Sequence, residues 1–117
     1  MTEIEMKQRT KTFALRVIKV VNSLSKELVS RRLGDQLVRS GTSVAANYRS
    51  ACRARSKADF VNKLGIVEEE ADESALWMEL LIESGFVPLP RMEKLLQEAN
   101  ELTAIMVASR KSTSGLR

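Results

Sequence analysis

The sequence predicts an all-α fold, an antiparallel up-down-up-down four-helix bundle, and three observations carry that prediction. Apolar residues recur at helical spacing along four long stretches, no β-branched run alternates in the manner of a strand, and only two prolines and five glycines punctuate 117 residues. A chain of this length forms a single domain that buries one core without help from metal or disulfides. Its hydrophobic and charged fractions, 44% and 29%, are ordinary for a globular protein. Short connections between amphipathic helices of roughly 15 to 28 residues place successive helices antiparallel.

Residues 1–6 are polar and are expected to fray. The first helix is expected over 8–24, with Phe13, Val17, Val20 or Val21, and Leu24 as its apolar stripe and Ile18 alongside. Lys7, Lys11, Arg16 and Lys19 decorate the rest. Asn22-Ser23-Leu24-Ser25 ends it, because Asn and Ser side chains compete for the backbone. The second helix is expected over 28–55. Gly34 and Gly41 lie inside it, each costing about 1 kcal/mol relative to Ala. Gly41 falls on the apolar side, where a closely approaching helix would compensate; nothing in the sequence explains Gly34.

Ser56 followed by Asp59 reads as a helix start, with an acid where the helix dipole favours it. The third helix, 57–84, carries the cleanest pattern: Phe60, Leu64, Val67, Ala71, Ser74, Met78, Leu81 and Gly85 step by four and three, a heptad seam. Gly85 suits the residue just past its end. Phe86-Val87-Pro88-Leu89-Pro90 is stiff and apolar and is expected to pack. Pro90 opens the fourth helix, 90–110, lined by Met92, Leu95 or Leu96, Ala99, Leu102 and Met106. Residues 111–117 read as a flexible polar tail.

The stretch from Gln36 to Phe60 concentrates the functional signal. At 100° per residue, Leu33, Leu37, Gly41, Val44, Tyr48 and Ala51 share an apolar side, while Arg31, Arg32, Arg39, Arg49 and Arg53 fall within a sector of roughly 100°. Gln36, Ser40, Ser43 and Asn47 form a polar ridge between them. The wider charge distribution follows suit: Lys7 to Lys63 holds fourteen Lys and Arg against three acids, and Leu64 to Glu101 holds ten acids against two cations. Such asymmetry suits a basic face for a polyanion; equally, the two halves can neutralise each other by packing together.

Catalysis finds little support. Histidine is absent and Cys52 is the single cysteine, so zinc sites and thiol–imidazole pairs are excluded, and no phosphate-binding glycine loop is present. We therefore expect no enzyme, no catalytic residues, no metal and no cofactor. The acids Glu68 and Asp72 read as a solvated face. Glu70 and Glu73, with Trp77, border the seam of the third helix as the polar ridge borders that of the second. The two ridges are expected to meet, with Asn47 and Ser43 hydrogen-bonding the carboxylates and Arg39 or a neighbouring subunit's cation balancing the charge. The basic sector, extended by Arg55 and Lys57, reads either as a phosphate-binding strip or as solvated cations that pair with a partner chain. No aromatic residues interleave it, so reading of single-stranded sequence is not indicated. A lone cysteine, no apolar N-terminal segment of signal length and no membrane-length apolar run make a cytoplasmic protein, with no membrane partner, the expectation.

The run QLVRSGTSVAANYRSA, continuing through RSKADFVNKL and EEEADESALWMELL, resembles the four-helix-bundle proteins encoded in intervening sequences of bacterial 23S rRNA genes. The similarity extends from RTKTFALRVIKVVNSL to the end of the fourth helix. That family is in turn similar to the accessory protein of diversity-generating retroelements, which binds RNA and a reverse transcriptase. The resemblance implies a homo-oligomer, a pentameric ring of bundles, with a basic surface for nucleic acid. Gln36, Arg39, Ser40, Ser43, Asn47, Arg49, Asp59, Phe60, Glu70 and Glu73 match the family pattern, whereas Ser50 stands where relatives often carry an acid. Large apolar Trp77 and Phe86 suit contacts between subunits. The reading is a non-enzymatic oligomer that binds structured RNA through second-helix cations; its rival is a scaffold that docks a protein, such as a reverse transcriptase, without touching nucleic acid.

Overall fold

The computed structural model describes residues 1–115. Four helices follow one another: α1 (Glu3–Asn22), α2 (Leu28–Ala51), α3 (Lys57–Glu83) and α4 (Leu89–Ser114). They alternate in direction along a body of 45 × 24 × 21 Å. α1 packs on α2, α2 on α3 and α3 on α4, whereas α4 closes back on α1 along a short stretch only. One end of the bundle therefore gathers the start of α1, the α2–α3 turn and the end of α4.

The core is built from the stripes the periodicity marked out. Phe13, Val17, Leu37, Val44, Leu64, Val67, Met78, Leu81, Met92, Leu102 and Met106 are fully buried. Val87 is buried as well, and Phe86 packs against the same cluster, so the α3–α4 connection is part of the core.

Three boundaries differ from expectation, each for a local reason. Residues 1–6 do not fray. Thr2 accepts from the Glu5 amide at 3.1 Å and Glu5 accepts from the Thr2 amide at 3.0 Å, a reciprocal cap that starts α1 at Glu3. α2 stops at Ala51 rather than residue 55, because Ser56 must be extended to cap α3. Its hydroxyl accepts from the Asp59 amide at 3.0 Å, and the Asp59 carboxylate reaches back to the Arg55 amide at 3.1 Å. α4 continues to Ser114, where Gly115 turns left-handed at φ 81°, so residues 111–114 belong to the helix. The remainder of the expected tail, past residue 115, lies outside the described residues.

The two glycines inside α2 are both explained by α1. A Cβ on Gly41 would stand 2.8 and 2.9 Å from the two methyls of Val17 and 3.0 Å from its Cβ. One on Gly34 would stand 2.9 Å from Leu24 Cδ1. Both positions let α1 and its trailing loop lie directly on the α2 backbone, and they fix the register of this antiparallel pair.

Candidate nucleic-acid interface

α2 fixes where its cations point, and the fold then divides them. Arg39 sits at the edge of the basic sector nearest α3. Its Nη1 donates to Glu70 Oε2 at 3.1 Å and its Nη2 to Glu73 Oε1 at 2.7 Å, while its Nε donates to Gln36 Oε1 at 3.3 Å. Arg39 is thus committed to carboxylates of its own chain. Arg31, Arg32, Arg49, Arg53, Arg55 and Lys57 are exposed and form no ion pair with any carboxylate of the described residues. With Arg39 taken out, the strip is not continuous. Arg31 and Arg32 lie at one end of α2, and Arg49 lies eighteen residues on, about 27 Å along the axis. Arg53 and Arg55 follow in the α2–α3 turn and Lys57 opens α3; Arg53 lines a groove with Arg49, and Lys57 lines another between α3 and α4.

The polar ridge meets α3 as expected in outline but not in its contacts. Asn47 and Ser43 do not reach the carboxylates; Asn47 Nδ2 donates to the Ser43 carbonyl of its own helix at 2.8 Å. The crossing bond belongs to Ser40, whose hydroxyl lies 2.8 Å from that of Ser74 with both residues fully buried. Ser74 can accept a hydrogen bond from the Ser40 hydroxyl and donate its own to the Glu70 carbonyl at 2.9 Å, which leaves no donor in the pair unsatisfied. Two such small side chains bring the α2 and α3 backbones close and put Arg39 within reach of two acids. The carboxylates themselves are not buried as a network: the Glu70 side chain is 13% exposed, but that of Glu73 is 42%. Arg39 with its acids is a surface clasp that sets register, not a charge cluster in the core.

Two further ion pairs went unread in the sequence. Arg9 binds Glu98 through two bonds, Nε to Oε2 at 2.8 Å and Nη2 to Oε1 at 2.7 Å, with both side chains largely covered, and this is the main polar tie between α1 and α4. The Glu98 hydrogen bonds hold the Arg9 guanidinium even more firmly protonated than usual. Glu68, expected on a solvated face, accepts from Arg110 Nε at 2.9 Å and joins α3 to α4. Asp72 is exposed. Long-range pairs of this kind leave no local spacing to read. Lys7 and Lys11 of α1, which the α2 pattern does not mark, line the same groove as Arg49 and Arg53. Their own i, i+4 spacing was the available signal.

Other chemistry is sparse. Burial pushes the Cys52 thiol and the Tyr48 phenol up, so both hold their protons at neutral pH. Among the described residues no three Cys, Asp or Glu side chains converge to hold a metal ion, and no helix is long and apolar enough to cross a membrane. Trp77 and Phe86, expected at subunit contacts, are half-buried against the core.

Fold and surface together define an all-α four-helix bundle held by inter-helical arginine–carboxylate clasps. The chain belongs to the family described as 23S rRNA-intervening sequence protein, which matches residues 2–108. It is similar to a crystallised protein of unknown function from the S23 ribosomal protein family of Bacteroides thetaiotaomicron, at 33% identity, 95% coverage of this chain, 99% of that one, and a TM-score of 0.87. No curated protein matches the chain.

Proposed function

We propose that the protein is a non-enzymatic, cytoplasmic binder of structured RNA that grips the phosphodiester backbone electrostatically through the cations where α2 turns into α3. The observation that carries this reading is that Arg49 and Arg53 line one groove where α2 ends, with Arg55 and Lys57 following in sequence, all four exposed and without a carboxylate partner among the described residues, while Arg39 is already engaged. Unpaired guanidinium groups at this density favour bidentate contact with phosphate. Arg31 and Arg32 form a second, separate contact at the other end of α2. Recognition is by charge and shape, because no aromatic side chain stands among these cations to stack on a base. Retention on a structured RNA across a salt series tests the reading. The Arg49→Ala/Arg53→Ala double variant is expected to lose salt-sensitive retention, and wild-type-like retention by that variant refutes it.

Self-association is a second part of the reading and rests on apolar side chains that face outward. Leu15 and Ile18 on α1, and Leu76 and Leu80 on α3, are exposed. Leu15 and Ile18 lie one turn apart on a face of α1 that no described helix of the same chain covers. A homo-oligomer buries them, and the pentameric ring implied by the family resemblance is its expected form. Light scattering reads the mass directly; Leu15→Glu/Ile18→Glu is expected to shift it to that of a monomer. A protein partner such as a reverse transcriptase, docked without nucleic acid, remains the rival. It is favoured if that partner binds while no RNA is retained at low salt.

A further inference from the structure

We propose that the groove between the first half of α1 and the last half of α2 is the seat of one sugar–phosphate strand, held by Lys7 and Lys11 from one wall and Arg49 and Arg53 from the other. The inference deepens the RNA reading above and rests on it. The groove has a volume of about 940 Å³, and Ala45 and Ala46 are among the residues that line it. Small floor residues leave the trough open between two rows of long cations. Lys7 and Lys11 stand at i, i+4 on α1 and point the same way, while Arg49 lies in the last turn of α2 and Arg53 in the turn just past its end, and both line the groove. The Gly41–Val17 contact sets the register, which places Arg49 between Lys7 and Lys11 across the groove, with Arg53 in the turn beyond. Successive cations are two residues apart, about 3 Å along the axis. Lys7, Arg49 and Lys11 therefore span about 6 Å, a length comparable to two base-pair rises of about 3.4 Å.

The acids nearby do not cancel this charge. Glu5 lines the groove as a carboxylate, kept ionised by the Thr2 amide in the α1 cap, and offsets one of the four cations, which leaves the groove net positive. Glu3 stands 3.8 Å from Lys7, a loose pair between two exposed side chains, of the kind worth little in water. The groove between α3 and α4 makes a useful contrast. It is about 820 Å³, but Glu69 lines it and its Arg110 is already bound to Glu68. The α1–α2 groove is larger than the one lined by Lys26, Arg31 and Arg32, about 940 against 380 Å³, and unlike the α3–α4 groove it has cations free of inter-helical ion pairs on both walls. It offers no aromatic platform, so the strand lies with its backbone inward and its bases toward solvent.

The test measures anisotropy of a fluorescein-labelled oligouridine across a salt series on the full chain. Lys7→Gln/Lys11→Gln removes one wall and leaves α2 intact. It is expected to reduce the slope of log affinity against log salt by about 1.4, so the affinity lost between about 50 and 200 mM salt shrinks roughly sevenfold. Arg16→Gln/Lys19→Gln, a charge-matched change elsewhere on α1, is expected to leave the slope near wild type. Ala46→Glu, which sets an acid on the exposed floor, is expected to abolish binding while circular dichroism stays unchanged. Equal effects of the two lysine-containing double variants overturn the groove. So does a wild-type slope in Lys7→Gln/Lys11→Gln when Arg49→Gln/Arg53→Gln has lost binding, an outcome that leaves the RNA reading standing. Competition by polyglutamate as strong as by oligouridine of equal charge overturns the choice of nucleic acid. Absence of salt-dependent binding by the wild-type chain to oligouridine and to a structured RNA alike removes both.

Discussion

Gly41→Ala isolates the contact that sets the distance between α1 and α2. Two terms of opposite sign decide the outcome. Alanine inside a helix gains about 1 kcal/mol over glycine. Against this, the new methyl would meet both Val17 methyls and its Cβ at 2.8 to 3.0 Å. Val17 is fully buried and β-branched, so no χ1 rotation clears the clash and the helices must part. Overpacking of this kind costs about 1–3 kcal/mol. The net expectation is a loss of about 1 kcal/mol. Gly34→Ala runs the other way. Its methyl would press on the far end of Leu24, a half-buried side chain in the loop after α1 with two torsions free to move. The propensity gain should dominate there and stabilise by about 0.5 kcal/mol. Urea denaturation at one fixed protein concentration reads both changes, with m expected to stay constant. A 1 kcal/mol change moves the midpoint by about 0.3–1 M. A cycle with Val17→Ala completes the test, since trimming Val17 should cost about 1 kcal/mol less when Ala occupies position 41. A more stable Gly41→Ala, or an absence of coupling in the cycle, would refute the close-approach argument.

Three other outcomes are expected. Glu98→Ala breaks the largely covered pair with Arg9 and should cost about 1.5–3 kcal/mol; amide exchange of α1 should accelerate before that of α2 and α3, because α4 holds α1 along only a short stretch. Glu73→Gln should cost under about 1 kcal/mol, as its side chain is substantially exposed and Arg39 keeps Glu70, and a loss above 2 kcal/mol by thermal melting would count against the surface-clasp assignment. The Arg55 amide and then Lys63 hold the Asp59 carboxyl below its ordinary value. Because the folded-state value is the lower one, the stability this group contributes is present above the unfolded carboxyl range near pH 4. It is lost as pH falls through the folded value. Asp59→Asn should therefore narrow the difference in melting temperature between pH 7 and pH 3, and an unchanged difference would contradict the cap.

The helix count, the apolar stripes and the family were legible in the sequence because each is a local or periodic property. The seam from Leu64 to Leu81 repeats on one helix and says which side is buried without reference to any partner. The basic sector of α2 was legible for the same reason, since azimuth around one helix depends only on residue number. What each of those arginines does was not. Arg39 and Arg49 share a sector and a chemistry, yet one is clasped by two acids more than thirty positions away and the other stands free of carboxylates among the described residues. Only the packing of α3 beside α2, through the buried Ser40–Ser74 contact, separates them. Gly34 is a similar case: its fault as a helix former is visible in the sequence, and its reason, the side chain of Leu24 lying across it, exists only once α1 has folded back. The chain itself thus determined which faces are apolar and which are charged. The tertiary structure decided which charges are spent on one another and which face a groove, because ion pairing depends on distances of a few ångströms between helices that no spacing along one helix encodes.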